Sequence, residues 1–193
     1  MNLVIIDYGA GNVQSVKYAL DRLGVSATLS NDPEVIKNAD KLIFPGVGAA
    51  GAAMDALKES GLDKLIPSLK QPFLGICLGM QIMCRYSEEG STQGLGIIDV
   101  DVKKFEGEQK VPHMGWNNVV NQKTSLFDGF DSTDQVYFVH SYYVPVNEYT
   151  IAECDYIKNF SAAIKKDNFY ACQFHPEKSG RIGEQLLKTF IEL

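Results

Sequence analysis

In the N-terminal half of the chain, short apolar runs alternate with stretches of helical periodicity. LVIID (3–7) has the length and composition of a buried strand. A glycine-bearing turn, YGAGN (8–12), follows it. Val13, Val16, Leu20 and Leu23 then recur at helical spacing, with Asn12 placed as the N-cap. The alternation repeats. VSATL (25–29) reads as a strand, a short helix follows Asp32-Pro33, and KLIFP (41–45) reads as a strand. Residues 49–58 and 62–69 read as helices, PFLGI (72–76) as the next strand and 78–86 as the next helix. This rhythm indicates βαβ units and a parallel, doubly wound sheet.

The C-terminal half has a different texture. DVDVKKF (99–105), YFVHSYYV (137–144), TIAEC (150–154), SAAIKK (161–166) and FYACQF (169–174) read as short strands, some of them antiparallel. The chain closes on an amphipathic helix, with Ile182, Leu186 and Phe190 on one stripe and Leu187 and Ile191 beside it. No linker, repeat or low-complexity tract divides the sequence. Residues 1–193 read as a single α/β domain with a mixed sheet.

Composition narrows the functional classes. A net charge of -6 argues against nucleic acid or an anionic membrane as the main partner. MNLVIID carries no basic n-region, so no signal peptide is expected, and no apolar run approaches the ~18 residues of a membrane helix. A cytoplasmic location is expected, with Cys77, Cys84, Cys154 and Cys172 as free thiols. There is no Cys-x-x-Cys pair, and His113, His140 and His175 do not cluster with cysteines at ligand spacing, so no metal is expected. GAGNVQ (9–14) has Gln14 where a dinucleotide fingerprint needs its third glycine, and PGVGAAGAAM (45–54) has no Gly-Lys-Ser/Thr. No cofactor is expected.

The candidate chemistry begins with LGICLGMQ (74–81). Gly75, Cys77 and Gly79 form Gly-x-Cys-x-Gly at a strand-to-helix junction. Small neighbours permit the sharp turn that lifts a side chain out of a sheet. The helix beginning at Leu78 directs free N–H groups at the sulfur, an environment that favours a thiolate and that stabilises an oxyanion. Cys84, Cys154 and Cys172 read as inert buried thiols, Cys84 within the helix. A cysteine nucleophile needs a base and an orienting acid. QFHPEKS (173–179) offers both: Pro176 biases His175 toward an extended backbone, where Glu177 at i+2 points to the same side. His113 and His140 are alternative bases without a carboxylate so placed.

With these residues in view, the chain resembles the class I, triad-type glutamine amidotransferases. Within that class it resembles the glutaminase subunits of imidazole glycerol phosphate synthases. The resemblance runs the full length through PGVG (45–48), GICLGMQ (75–81), SEEG (87–90), PHMGWN (112–117), YFVHSYY (137–143) and QFHPEKSG (173–180). It implies a flavodoxin-like, doubly wound, mostly parallel sheet with helices on both faces and extra antiparallel strands. It implies hydrolysis of L-glutamine to glutamate and ammonia through a thioester on Cys77, with His175 and Glu177 completing the triad. The ammonia would pass to a partner (β/α)₈-barrel cyclase, in a heterodimer serving histidine biosynthesis.

By the same resemblance, the backbone N–H of Leu78 and one from Val47 or Gly48 form the oxyanion hole, the latter after a peptide flip that glycine makes easy. Gly46, Gln81, Glu89, Ser141 and Tyr142 match substrate-holding positions, with serine where some relatives carry threonine. Asn12, Tyr137 and Lys178 match residues at the partner face and ammonia path, and Trp116 suits either core packing or that docking face. Three alternatives remain at this point. One is a class I amidotransferase serving another acceptor, in pyridoxal phosphate or aminobenzoate synthesis, against which PGVG and PHMGWN argue. The others are a non-catalytic module, against which the intact triad argues, and a cysteine peptidase-like relative.

Overall fold

The computed structural model describes residues 1–9 and 11–193; Ala10, in the predicted YGAGN turn, lies outside the described residues. The strands in chain order are β1 (Leu3–Ile6), β2 (Ala27–Ser30), β3 (Lys41–Gly46), β4 (Phe73–Cys77), β5 (Cys84–Ser87), β6 (Thr92–Gln93), β7 (Ile98–Lys104), β8 (His113–Asn118), β9 (Gln135–His140), β10 (Tyr142–Tyr143), β11 (Thr150–Asp155), β12 (Asn159–Lys166) and β13 (Phe169–Cys172). The helices are α1 (Val13–Arg22), α2 (Pro33–Lys37), α3 (Ala50–Glu59), α4 (Leu62–Leu65), α5 (Leu78–Met83) and α6 (Gly180–Glu192).

Every residue of β1, β3 and β4 is buried, which is why they read as unbroken apolar runs. Their alternate side chains enter two cores. Leu3, Ile5, Ile43, Leu74 and Ile76 face one way, against Val16 and Leu20 of α1 and Leu186, Leu187 and Phe190 of α6. Val4, Ile6, Leu42, Phe44 and Phe73 face the other way, against Ile36 of α2, Met54 and Leu57 of α3, and Met80 and Met83 of α5. Each large aliphatic side chain so buried contributes roughly 1.5–3 kcal/mol.

The main sheet has seven strands in the order β11-β12-β13-β4-β3-β1-β2. From β2 to β13 all neighbours are parallel, and β12 alone opposes them, pairing antiparallel with both β11 and β13. The order β2-β1-β3-β4 is the doubly wound, flavodoxin-like one, and its ligand crevice lies beyond the carboxyl ends of the strands. Gly46 of β3 lies opposite Cys77 of β4, and Cys172 of β13 lies opposite Ile76. The segments leaving β3, β4 and β13 therefore emerge side by side. A four-stranded sheet, β10-β7-β5-β6, and an antiparallel ribbon, β8-β9, complete the architecture. Among the described residues, no helix is long and apolar enough to cross a membrane.

Several expected boundaries move. The helix expected over 78–86 ends at Met83, and Cys84 opens a strand instead of lying in the helix. The returning segment is the cause: Leu95 N–H donates to the Ile82 carbonyl, the acceptor that Tyr86 N–H would have used in a continued helix, and Gly96 N–H donates to that of Cys84. The helix expected over 62–69 is α4 followed by a 3₁₀ turn at Ile66–Ser68, because Pro67 cannot donate to the ladder. The strand expected at 25–29 starts at Ala27, since Val25 N–H closes the end of α1 on the Leu20 carbonyl. The segment 137–144 is two strands in different sheets, parted at Ser141, whose carbonyl accepts from Phe105 N–H. The strand expected to run to Phe174 stops at Cys172. Asn12 occupies the N-cap position of α1, but its side chain makes no capping hydrogen bond.

Candidate active site

The turn from β4 into α5 is built by close backbone approach. A Cβ on Gly79 would overlap the Phe44 carbonyl oxygen, and one on Gly75 would lie 2.7 Å from the Met83 sulfur. Only glycine lets α5 cross over β3 and β4 at this separation. Cys77, at the apex, has φ 53° and ψ -107°, outside the regions favoured by residues with a Cβ. Such a conformation costs about 1–3 kcal/mol and persists because the flanking packing holds it. It places Cys77 at the mouth of α5 and on the wall of a cavity of about 320 Å³.

His175 reaches the same cavity from the next strand over. Its backbone N–H donates to the Tyr137 carbonyl of β9 at 2.9 Å, and Ser179 Oγ donates to its carbonyl at 2.6 Å while accepting from Tyr137 N–H. The corner after β13 is thus fastened to β9 at two points and braced on itself at a third. His175 is extended as expected, but Glu177 lies in a 3₁₀ turn, Pro176–Lys178, that curls its carboxylate back onto the ring. Glu177 Oε1 is 2.7 Å from His175 Nδ1, and both side chains are almost wholly buried. Glu177 Oε2 has no other partner among the described residues, so no second donor dilutes its pull on the ring.

Burial pulls the charge on His175 down. Hydrogen bonding to Cys77 and to Glu177, together with their negative charge, more than reverses that and raises its pKa to about 9. Among the described residues, Nε2 has no partner at hydrogen-bond geometry, so the Cys77 sulfur acts on the ring by its nearness and charge and not through a well-formed bond. With Nδ1 held by Glu177, Nε2 is the nitrogen left for proton transfer.

The cavity collects most of the sequence-predicted residues. Val47, Gly48, Leu78, Gln81, Glu89, Ser141, Tyr142 and Lys178 line it with Cys77 and His175. Gly46 does not; it is buried beneath, where an added Cβ would lie 2.8 Å from Gly79 N. Glu177 stands behind His175, and Asn12 and Tyr137 are off the lining. Glu89 Oε2 accepts from Ala50 N–H at 2.8 Å, supplying the cap that Ala49 cannot give to α3. Trp116 is half exposed on β8, its ring 5.9 Å from that of Tyr137 on β9, so it belongs to the surface and not to the core.

Pro112, Val139 and His140 also line the cavity and were not singled out as contacts by the sequence. His140 belongs to a directed chain. Its Nδ1 lies 2.7 Å from the Tyr142 carbonyl and must donate, so its Nε2 accepts from His113 Nδ1 at 3.1 Å. Burial drives His140 down to about 3, with the neighbouring His113 and His175 adding to the effect, and drives His113 down to about 4. Among the described residues neither is hydrogen-bonded to a carboxylate, and neither is placed to replace His175 as base. The other thiols are buried and inert: burial raises Cys84 and Cys154 to about 12 and Cys172 well above the ordinary value. Among the described residues, no group of three or more His, Cys, Asp or Glu is placed to hold a metal.

A thiol on a strained turn, a buried imidazole–carboxylate pair and backbone N–H groups around one cavity make an acyl-transfer site. The comparisons agree with this chemistry. The sequence profile "Glutamine amidotransferase class-I" matches residues 4–193. The chain is 61% identical to a Bacteroides fragilis protein named imidazole glycerol phosphate synthase subunit HisH, with all of both chains covered. It is 52% identical to the protein of that name from Escherichia coli K12, again over both full lengths. Among solved structures, PurLQS from Thermotoga maritima superposes with a TM-score of 0.77 at 14% identity, covering 99% of this chain and 97% of that one. A putative GMP synthase component from Thermoplasma acidophilum superposes with a TM-score of 0.74 at 22% identity, covering 100% and 92%. At such identities the superpositions speak for the fold, and the fold, the full-length profile match and the HisH relatives converge: the chain belongs to the class I glutamine amidotransferase family, in its HisH branch.

Proposed function

We propose that this chain is the cytoplasmic glutaminase subunit of an imidazole glycerol phosphate synthase, a single domain that hydrolyses L-glutamine and passes ammonia to a partner (β/α)₈-barrel cyclase. The Cys77 thiolate attacks the side-chain amide carbon, and the carbonyl oxygen takes the negative charge. Leu78 N–H and an N–H of Val47 or Gly48 receive that oxyanion. As the C–N bond breaks, His175 gives its Nε2 proton to the departing nitrogen, which leaves as ammonia. The product on the enzyme is a glutamyl thioester. His175, now neutral, takes a proton from water as the hydroxyl adds to the thioester carbon, and the thiolate departs with glutamate released.

A His175 pKa of about 9 suits the first half of this cycle, since the ring arrives protonated at neutral pH. Glu177 keeps Nδ1 engaged, so proton transfer runs through Nε2. Gln81, Glu89, Ser141 and Tyr142 receive the amino-acid end of the substrate, with Glu89 suited to the α-ammonium. Gly46 acts by letting the neighbouring backbone close on α5. Asn12, Tyr137 and Lys178 face the partner and the ammonia path, with the half-exposed Trp116 on the same ribbon as Tyr137. The HisH relatives at 52–61% identity favour this reading over another acceptor.

The observation that carries the proposal is the buried His175–Glu177 pair on the same cavity as Cys77. The test is ammonia release from L-glutamine by Cys77→Ala, assayed with and without the barrel cyclase. The expected result is a loss of at least about 10³-fold. Unchanged turnover would overturn the reading.

A further inference from the structure

Gln173 is two residues before His175 and fully buried, yet no part of the triad mechanism uses it. Its side chain lies between two cavity residues. Gln81 Nε2 is 2.9 Å from Gln173 Oε1, and Gln173 Nε2 is 3.6 Å from the Cys77 sulfur. Which end of each amide points where is decided by a third group. Gln81 Nε2 also lies 3.0 Å from the Tyr142 carbonyl, which can only accept. Reversing Gln81 would set its oxygen against that carbonyl, with no proton between them. Gln81 must therefore present N–H to both partners, Gln173 must accept through oxygen, and its own N–H₂ is left facing the sulfur.

The anchor is itself fixed. The same Tyr142 carbonyl takes the His140 Nδ1–H at 2.7 Å, and the Gln173 main-chain N–H donates to the Ala162 carbonyl at 2.8 Å. Neither end of the amide chain is free to turn.

We propose that Gln173 is a further catalytic residue: its amide N–H donates to the Cys77 sulfur, and Gln81 locks it in that orientation. The inference rests on Cys77 being the nucleophile. An N–H donor stabilises a thiolate far more than a thiol or a thioester sulfur. Gln173 therefore favours the charged sulfur before attack and again as the leaving group when the thioester is hydrolysed. Gln81 then has two tasks on one side chain: its nitrogen sets Gln173, and its oxygen remains for the substrate.

The test measures alkylation of Cys77 by iodoacetamide in the full chain as a function of pH, read by peptide mass spectrometry, beside glutamine hydrolysis. Gln173→Leu removes the donor. Its alkylation at neutral pH is expected to slow about tenfold and recover at higher pH, with kcat reduced about tenfold and KM within about twofold. Gln173→Glu keeps the shape but turns an acceptor toward the sulfur, and is expected to lose more than Gln173→Leu; it also serves should Gln173→Leu fail to fold. Wild-type alkylation profiles in folded variants, with Cys77→Ala inactive, would overturn the role of Gln173 and leave the nucleophile standing. Glutamine turnover by Cys77→Ala would remove both.

Discussion

Two histidines on the wall of one cavity are driven in opposite directions. Burial lowers both, yet His175 rises to about 9 while His140 falls to about 3. The difference is the company each keeps. His175 has the Glu177 carboxylate at 2.7 Å and the Cys77 sulfur beyond its other nitrogen. His140 has a backbone carbonyl at 2.7 Å, which favours its charge, and a neutral imidazole at 3.1 Å, and these do not offset the desolvation. A hydrogen bond of the same length therefore does not make a catalytic histidine. A buried anion does, and a neutral dipole leaves a structural ring that relays hydrogen bonds.

The comparison can be broken most strongly at Glu177. Glu177→Gln keeps the shape of the pair but gives His175 a neutral partner, which is the situation of His140. Its proton at neutral pH is then lost or weakly held, and glutamine turnover is expected to fall about 10³-fold or more in kcat. A variant within about tenfold of wild type would show that the carboxylate does not set the charge of His175.

A smaller effect reads the same contrast through stability. The His175 pKa is raised in the folded state, so its contribution is complete below about pH 6.5 and is lost as pH rises through about 9. His113 and His140 are lowered, so the stability that depends on their neutral rings is complete above about pH 6.5 and is lost as pH falls toward about 4 and about 3. Urea denaturation across this range should show the unfolding free energy falling on both flanks, by on the order of 1 kcal/mol per pH unit. In Glu177→Gln the alkaline flank should flatten while the acid flank keeps its slope.

How far the sequence discloses this depends on the element. β1, β3 and β4 are covered on both faces, so their apolar runs announce them and the βα rhythm follows. The strand that opens at Cys84 reads as a continuation of the helix because Ile82, Met83 and Cys84 are all buried and carry no period of their own. What decides their form is the loop at 94–96, ten residues later in sequence, capturing their carbonyls. The break at Ser141 is likewise a matter of partners, since β9 pairs with β8 and β10 with β7. Cys77, His175 and Glu177 are legible because their glycines and spacing are local signals. Gln173 is not, because a lone glutamine in FYACQF looks like strand filler. The signal is its place two residues before His175, on the segment leaving β13. The His113–His140 chain needs the β8–β9 register, which sets those two residues opposite each other.

The most direct measurement is a pH titration of the three histidines in ¹⁵N-histidine-labelled chain, followed by NMR. The account predicts that His175 holds its proton through neutrality and titrates near pH 9, with Nδ1 protonated throughout. His113 and His140 stay neutral until pH falls toward about 4 and about 3. Titration of His175 at or below about pH 6.5, or charging of His140 in the neutral range, would contradict the claim that Glu177 and Cys77 alone set the catalytic ring apart.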